Sequence, residues 1–291
     1  MPDYLRKIIT LSCVCLIVLL TKELTAAQMS QVRQEQLLEQ DWKFHKGSCE
    51  RAEEIGFKDA DWERIRIPHT WNARDGQRGG EYYRGDGWYR RHFTIVKDWA
   101  ERRIYLQFDG ANRNTEVFLN GKRVGEHRGG FARFRFDITE AVKREGDNLL
   151  AVRVNNEGKD GSAPVGGDFT SHGGLYRTVS LFCTAPLQIE TMDRASSGVF
   201  IKPIQLDTDA ARMAIRVQIR SHAKEDTRAT LRVQLINAAG KTVVKTQHEQ
   251  LLKAGVQSEY LGELSIKRPR LWEGREKPYL YMKCSAGRFC S

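Results

Sequence analysis

Apolar and polar residues alternate in short runs along most of this chain, and turn residues separate the runs. Alternation over about four to eight residues predicts a strand with one buried face, because successive side chains of a strand point to opposite sides. In the first two thirds of the chain the alternating apolar positions are Ile104, Leu106, Phe108, Phe134, Phe136, Ile138, Leu150, Val152, Val154, Val179 and Leu181. This spacing, with little helical periodicity between the runs, predicts a β-sandwich or jelly roll rather than alternating strands and helices.

One pair of runs carries a hairpin signal. Residues 117–119 and 122–124 are strand-like and flank Asn120-Gly121. Both central residues of a type I′ turn need a positive φ, which Asn and Gly adopt at low cost. The sequence therefore predicts a two-residue hairpin here.

A second set of runs begins after a break at residues 184–186. Its apolar positions are Met213, Ile215, Val217, Ile219, Leu231, Val233, Leu235, Leu264 and Ile266. A segment of about 95 residues with short strands has the size of an immunoglobulin-like sandwich, although the Cys…Trp…Cys pattern of antibody domains is absent. We therefore expect an all-β chain with a jelly-roll domain at 28–184 and an immunoglobulin-like β-sandwich, which could be incomplete, at 185–281.

The two ends of the chain differ from this pattern. Residues 1–27 combine a basic start, an apolar stretch of about 13 residues and a small-residue cleavage site, so we expect a signal peptide. A membrane anchor is the alternative, but a span needs about 20 apolar residues. We expect the remaining chain to be secreted or periplasmic, with no membrane span. Residues 269–272 and 278–281 look like closing strands, whereas 282–291 lose all alternation. That tail would be a truncation, a frame change or a natural flexible terminus.

Charge and cysteine content exclude several classes of protein. The formal net charge is +10, from 47 basic and 37 acidic residues, but no run of five or six like charges occurs. A nucleic-acid partner is therefore not expected. The basic surface could favour acidic glycans or be merely solvated. No Cys or His cluster has the spacing of metal ligands, so we expect neither a metal nor a cofactor.

Four motifs, taken together, resemble a known family. They are I-P-H-T-W-N at 67–72, G-W-Y-R-R at 87–91, the N-G hairpin with H-R-G-G-F at 117–136, and G-D-F-T-S-H-G-G-L-Y-R at 167–177. In order and spacing they resemble the sugar-binding jelly-roll domain of family 2 glycoside hydrolases, over residues 42–184. The Pro-rich ending is similar to the immunoglobulin-like domain that follows in that family.

The resemblance implies part of an exported, retaining glycosidase acting on β-galactosides or β-glucuronides. Asp168 stands in a Gly-rich loop, where a carboxylate can accept hydrogen bonds from adjacent sugar hydroxyls. The family's aspartate at this position reaches the barrel mouth and contacts the terminal sugar. A loop or strand-start cap is the alternative role. His172, at a variable position of the same motif, is a second substrate-binding candidate.

Several conspicuous side chains have a structural interpretation that we favour. Trp71, Trp88 and Tyr89 could stack on a sugar, but packing suits large rings with one polar atom better. We expect His69 and His127 to make structural hydrogen bonds.

Two glycine pairs and one arginine in the motifs are also best explained by structural roles. Gly129-Gly130 and Gly173-Gly174 predict positive φ or a close approach. We expect Arg177 to pair with a carboxylate or with backbone carbonyls.

The chain offers no catalytic residue. The family's two glutamates lie on a (β/α)₈ barrel of about 250 residues, and no β/α alternation occurs here. Asn156-Glu157 resembles the family's acid/base dipeptide, but it follows the strand at 149–155 and is better explained as a turn.

Three functional hypotheses follow. The first is a glycosidase fragment that is inactive without its partner, the barrel. The second is a free-standing carbohydrate-binding module, and the third is a structural sandwich with no sugar site. The oligomeric state, including a homo-oligomer, is left open.

Overall fold

A computed structural model describes residues 33–75, 81–158 and 172–289, the last eight of these as backbone alone. In these ranges the chain forms seventeen strands and one short 3-10 helix, Lys97–Trp99. The strands up to residue 184 are β1 (Arg33–Leu37), β2 (Trp42–Lys46), β3 (Glu63–Ile65), β4 (Asp86–Phe93), β5 (Arg103–Phe108), β6 (Asn114–Leu119), β7 (Lys122–His127), β8 (Phe134–Asp137), β9 (Asn148–Asn155) and β10 (Val179–Thr184). Those that follow are β11 (Leu187–Ile189), β12 (Val199–Leu206), β13 (Ala210–Ser221), β14 (Thr227–Ile236), β15 (Thr242–Leu252), β16 (Gln257–Lys267) and β17 (Met282–Phe289).

The first domain is a sandwich of two antiparallel sheets. One has the strand order β1-β10-β5-β8, and the other has the order β3-β2-β4-β9-β6-β7. Apolar and aromatic side chains from the two inner faces form one continuous core between them. The prediction of an all-β fold is therefore confirmed.

The predicted hairpin joins β6 and β7. Asn120 and Gly121 have φ values of +53° and +79°, as a type I′ turn requires. The Asn120 side chain donates a hydrogen bond to Asn148 Oδ1 (2.9 Å) and accepts one from the backbone N–H of Leu149 (3.0 Å). These contacts tie the turn to the start of β9.

Strand β5 is buried on both faces, whereas its alternation predicted one buried face. On the face away from the core, Tyr105 stacks on Phe182 of β10 with ring centroids 5.0 Å apart. The Tyr105 hydroxyl accepts a hydrogen bond from the side chain of Gln188 in β11. This face is thus covered by residues distant in sequence, among them Phe182 of β10 and Gln188 of β11, which strand periodicity within β5 cannot reveal.

Arg135 of β8 completes the junction between the two domains. Its guanidinium donates to Gln107 Oε1 (2.7 Å) and to the backbone carbonyls of Thr191 (2.7 Å) and Ser196 (3.0 Å). Burial, together with neighbouring arginines, lowers the pKa of Arg135 to about 10. The charge therefore lies in a desolvated position and is stabilised by three oxygen acceptors.

The second domain is a smaller sandwich. Strand β13 pairs with β11 and β12 along one edge and with β16 along the other, and β14 pairs with β15 and β17. Its inner positions are the predicted alternating residues of β13 and β14. The chain changes sheet between β10 and β11, that is, between Thr184 and Leu187.

The prediction of closing strands at 269–272 and 278–281 is wrong. Residues 268–281 form a loop with a single bridge between Glu273 and Lys277. Pro269 and Pro278 lack the N–H that a strand ladder needs, which explains the irregular backbone. Instead, Met282–Phe289, within the segment expected to be aberrant, pairs antiparallel with β14.

No helix in the described ranges is long and apolar enough to cross a membrane. In the same ranges Cys49 and Cys183 are free thiols.

Candidate functional site

Two loops of the first domain, β3–β4 and β9–β10, meet at the side chain of Asn72, which is 1% exposed. Its amide nitrogen donates to Asp75 Oδ2 (2.6 Å) and to the backbone carbonyl of Tyr83 (2.9 Å). Its amide oxygen accepts from the backbone N–H of Gly173 (2.7 Å) and from Asn156 Nδ2 (3.2 Å). Both N–H donors and both oxygen lone pairs of this amide are thus used to hold the loops together.

The two acceptor bonds of Asn72 bracket the segment 159–171. Asn156 lies just before that segment and Gly173 lies just after it. Asn156 is fixed in turn, because its Oδ1 accepts from the backbone N–H of Gly85 (2.9 Å). Both flanks of the segment are therefore anchored at one oxygen atom.

Trp71 forms the apolar base of this cluster. Its indole stacks on Phe44 with an interplanar angle of 11° and ring centroids 6.0 Å apart. A Cβ at Gly173 would lie 2.0 Å from its Cζ2, and a Cβ at Gly87 would lie 2.4 Å from its Cζ3. The indole therefore fits only because both neighbouring positions are glycine.

The proposed packing role of the aromatic residues is confirmed. Trp71, Trp88 and Tyr89 are all at least 90% buried, so their faces contact protein. The Tyr89 hydroxyl lies 2.9 Å from His69 Nδ1. That contact confirms a structural hydrogen bond for His69, whose pKa is lowered by burial.

His127 differs from the expectation. Its ring stacks on Phe134 with centroids 4.1 Å apart, and its buried Nε2 has no hydrogen-bond partner in the described part of the chain. Burial lowers the pKa of His127, so the neutral ring is favoured. Packing on an aromatic neighbour therefore contributes to holding this ring.

Glycine 174 brings a further loop into the cluster. It has a φ of +125°, and a Cβ there would lie 2.6 Å from the His69 carbonyl oxygen. Its backbone exchanges two hydrogen bonds with Asn112, at 2.9 and 3.0 Å. Asn112 Nδ2 also donates to the carbonyl of His172 (2.7 Å). The positive φ and close approach predicted for Gly173-Gly174 are confirmed.

His172 has an exposed side chain at the rim of the cluster. Its ring meets the edge of the Tyr82 ring, with centroids 6.1 Å apart. The Tyr82 hydroxyl is buried and has no hydrogen-bond partner among the described residues, and desolvation raises the pKa of Tyr82 to about 12. The rim therefore offers an imidazole beside a protonated phenol. Asp168, the main sequence candidate, lies outside the described residues.

Asp75 is the acidic group of the cluster. Desolvation opposes its ionisation, but hydrogen bonds from Asn72 and the backbone N–H of Tyr83 outweigh this and lower its pKa. The charges of Lys46 and His172 act in the same direction. Asp75 is therefore an ionised acceptor whose role is to hold Asn72.

Two other sequence interpretations can be checked directly. Asn156 is 2% exposed and forms hydrogen bonds within the loops, and the N–H of Glu157 donates to Asn155 Oδ1 (2.9 Å). Asn156 therefore has a structural role in the loop that follows β9. Arg177 donates to the backbone carbonyls of Asp109 (3.2 Å) and Phe131 (3.0 Å), which confirms the expected carbonyl pairing.

Sequence reasoning missed the central residues of the site. Asn72 ends a motif that we noted for its aromatic members, and neither Asn112 nor Tyr82 was singled out. A short polar side chain directly after a buried Trp was the available signal. Across the described ranges no group of three His, Cys, Asp or Glu side chains is placed to hold a metal ion.

Both domains match models of a known protein family. Residues 62–186 match the model of the glycosyl hydrolases family 2 sugar-binding domain, and residues 197–283 match a second glycosyl hydrolases family 2 model. The chain belongs to glycosyl hydrolase family 2. The resemblance inferred from the four motifs is confirmed.

Relatives of this family 2 chain are bacterial enzymes. It is 36% identical over 250 residues to a β-glucuronidase of Bacteroides fragilis, covering 86% of this chain and 34% of the relative. It is 30% identical over 249 residues to a β-galactosidase of Bacteroides ovatus, covering 83% of this chain and 28% of the relative. A crystal structure of a Bacteroides uniformis β-glucuronidase superposes with a TM-score of 0.84 at 35% identity, covering 88% of this chain and 30% of that one.

The matched region is only part of each relative. The family 2 chain spans about a third or less of the length of these proteins. Within the described ranges it contains strands and one 3-10 helix, and thus no (β/α)₈ barrel.

Proposed function

We propose that this chain provides the sugar-binding and immunoglobulin-like domains of an exported retaining glycosidase that hydrolyses β-glucuronides or β-galactosides. The observation that carries the proposal is the match of both domains, in family order, to proteins named β-glucuronidase and β-galactosidase. The two glutamates of such chemistry belong to a barrel that the described residues do not contain. The barrel is therefore the partner on which activity depends.

Asp168 is the residue through which this chain contacts the sugar. Support comes from the anchoring of its segment, since Asn156 and Gly173 on either side are fixed to Asn72 Oδ1. His172, exposed beside Tyr82, is a second contact at the same rim.

A chimeric enzyme tests the proposal. Residues 28–289 of this chain, which include β17, would replace the corresponding region of the Bacteroides uniformis β-glucuronidase, and hydrolysis of nitrophenyl β-glucuronide and β-galactoside would be measured. We expect turnover by the chimera and none by this chain alone. Turnover by the chain alone would contradict the requirement for a barrel.

Asp168→Asn in that chimera tests the sugar contact. Loss of a charged acceptor should lower kcat/KM by about tenfold or more. Asp160→Asn, in the same segment and with the same change of charge, is the matched control and should have little effect. Equal kcat/KM for both variants would remove Asp168 from the site.

The free-standing module is the competing function, and calorimetry distinguishes it. Glycan binding by the isolated chain, combined with an inactive chimera, would favour the module. Export is tested separately: N-terminal sequencing of the mature protein should begin near Gln28.

A further inference from the structure

We draw no further inference here: the strongest candidate, the exposed apolar row of Ile201, Ile204 and Leu206 along the edge strand β12 of the second sandwich, carries none because nothing in the described part of the chain shows what covers it.

Discussion

Replacement of the buried Asn72 should destabilise the first domain more than the same substitution of an exposed asparagine. Asn72→Ala removes four hydrogen bonds and leaves the N–H of Gly173 without its acceptor. A net contribution of about 0.5–1.5 kcal/mol per neutral bond applies to three of them. The bond to Asp75 is taken at the lower end for a charged acceptor, about 1.5 kcal/mol, because that carboxylate is partly exposed. We expect the free energy of unfolding to fall by about 3–6 kcal/mol.

Urea unfolding followed by tryptophan fluorescence measures this change. Five of the six tryptophans lie in the first domain, so the signal reports mainly on that domain. Asn237→Ala, at an exposed turn of the second domain, is the matched control and should leave this transition unchanged. A loss below about 1 kcal/mol for Asn72→Ala would refute the central role of this amide.

Asn72→Asp adds a dependence on pH. The substitution keeps the shape but places a second carboxylate against Asp75, whose own oxygen lies 2.6 Å from the replaced amide nitrogen. Two adjacent carboxylates raise a pKa in the folded state. A raised folded pKa favours the folded state below the unfolded pKa, and this advantage is lost as the pH rises through the folded value. The variant should therefore be closer to wild type at pH 4 than at pH 7. The same deficit at both pH values would contradict the reasoning.

Two further predictions concern close packing and the domain junction. Gly173→Ala should lower the free energy of unfolding by about 2 kcal/mol or more, because its Cβ would overlap the Trp71 indole. Gly56→Ala is the control: its Cβ would meet no atom within 4 Å, so it should be nearly neutral in the same urea assay. Arg135→Met removes two hydrogen bonds across the domain junction and one beside it, so it should loosen the contact between the two domains. We expect a larger radius of gyration by small-angle scattering, with Arg212→Met as the exposed control. Equal radii for the two variants would argue against a junction held by Arg135.

The strands and the hairpin were predictable because their signals are local. Alternation within β5, β9 or β13 reflects which side chains meet a core, and Asn120-Gly121 fixes its turn by backbone preference alone. The second buried face of β5 was not predictable, since Gln188 and Arg135, which cover it, lie more than 25 residues away in sequence.

The hydrogen-bonded centre of the site also depends on distant residues. Asn72 contacts Asn156 and Gly173, which are 84 and 101 residues further along the chain. No periodicity or turn preference encodes such a contact, so the motif could be noted but its function could not be derived. The error over residues 269–281 has the opposite origin: apolar and aromatic residues dominated our interpretation, although Pro269 and Pro278 argue against a paired strand.

Asn156 and Gly173 are 17 residues apart in the sequence, yet both donate to the same oxygen atom of Asn72. The body of the first domain therefore fixes the chain at two points between β9 and β10. A change at Asn72 releases both points at once, so one side chain in the loop before β4 couples the end of β9 to the approach to β10.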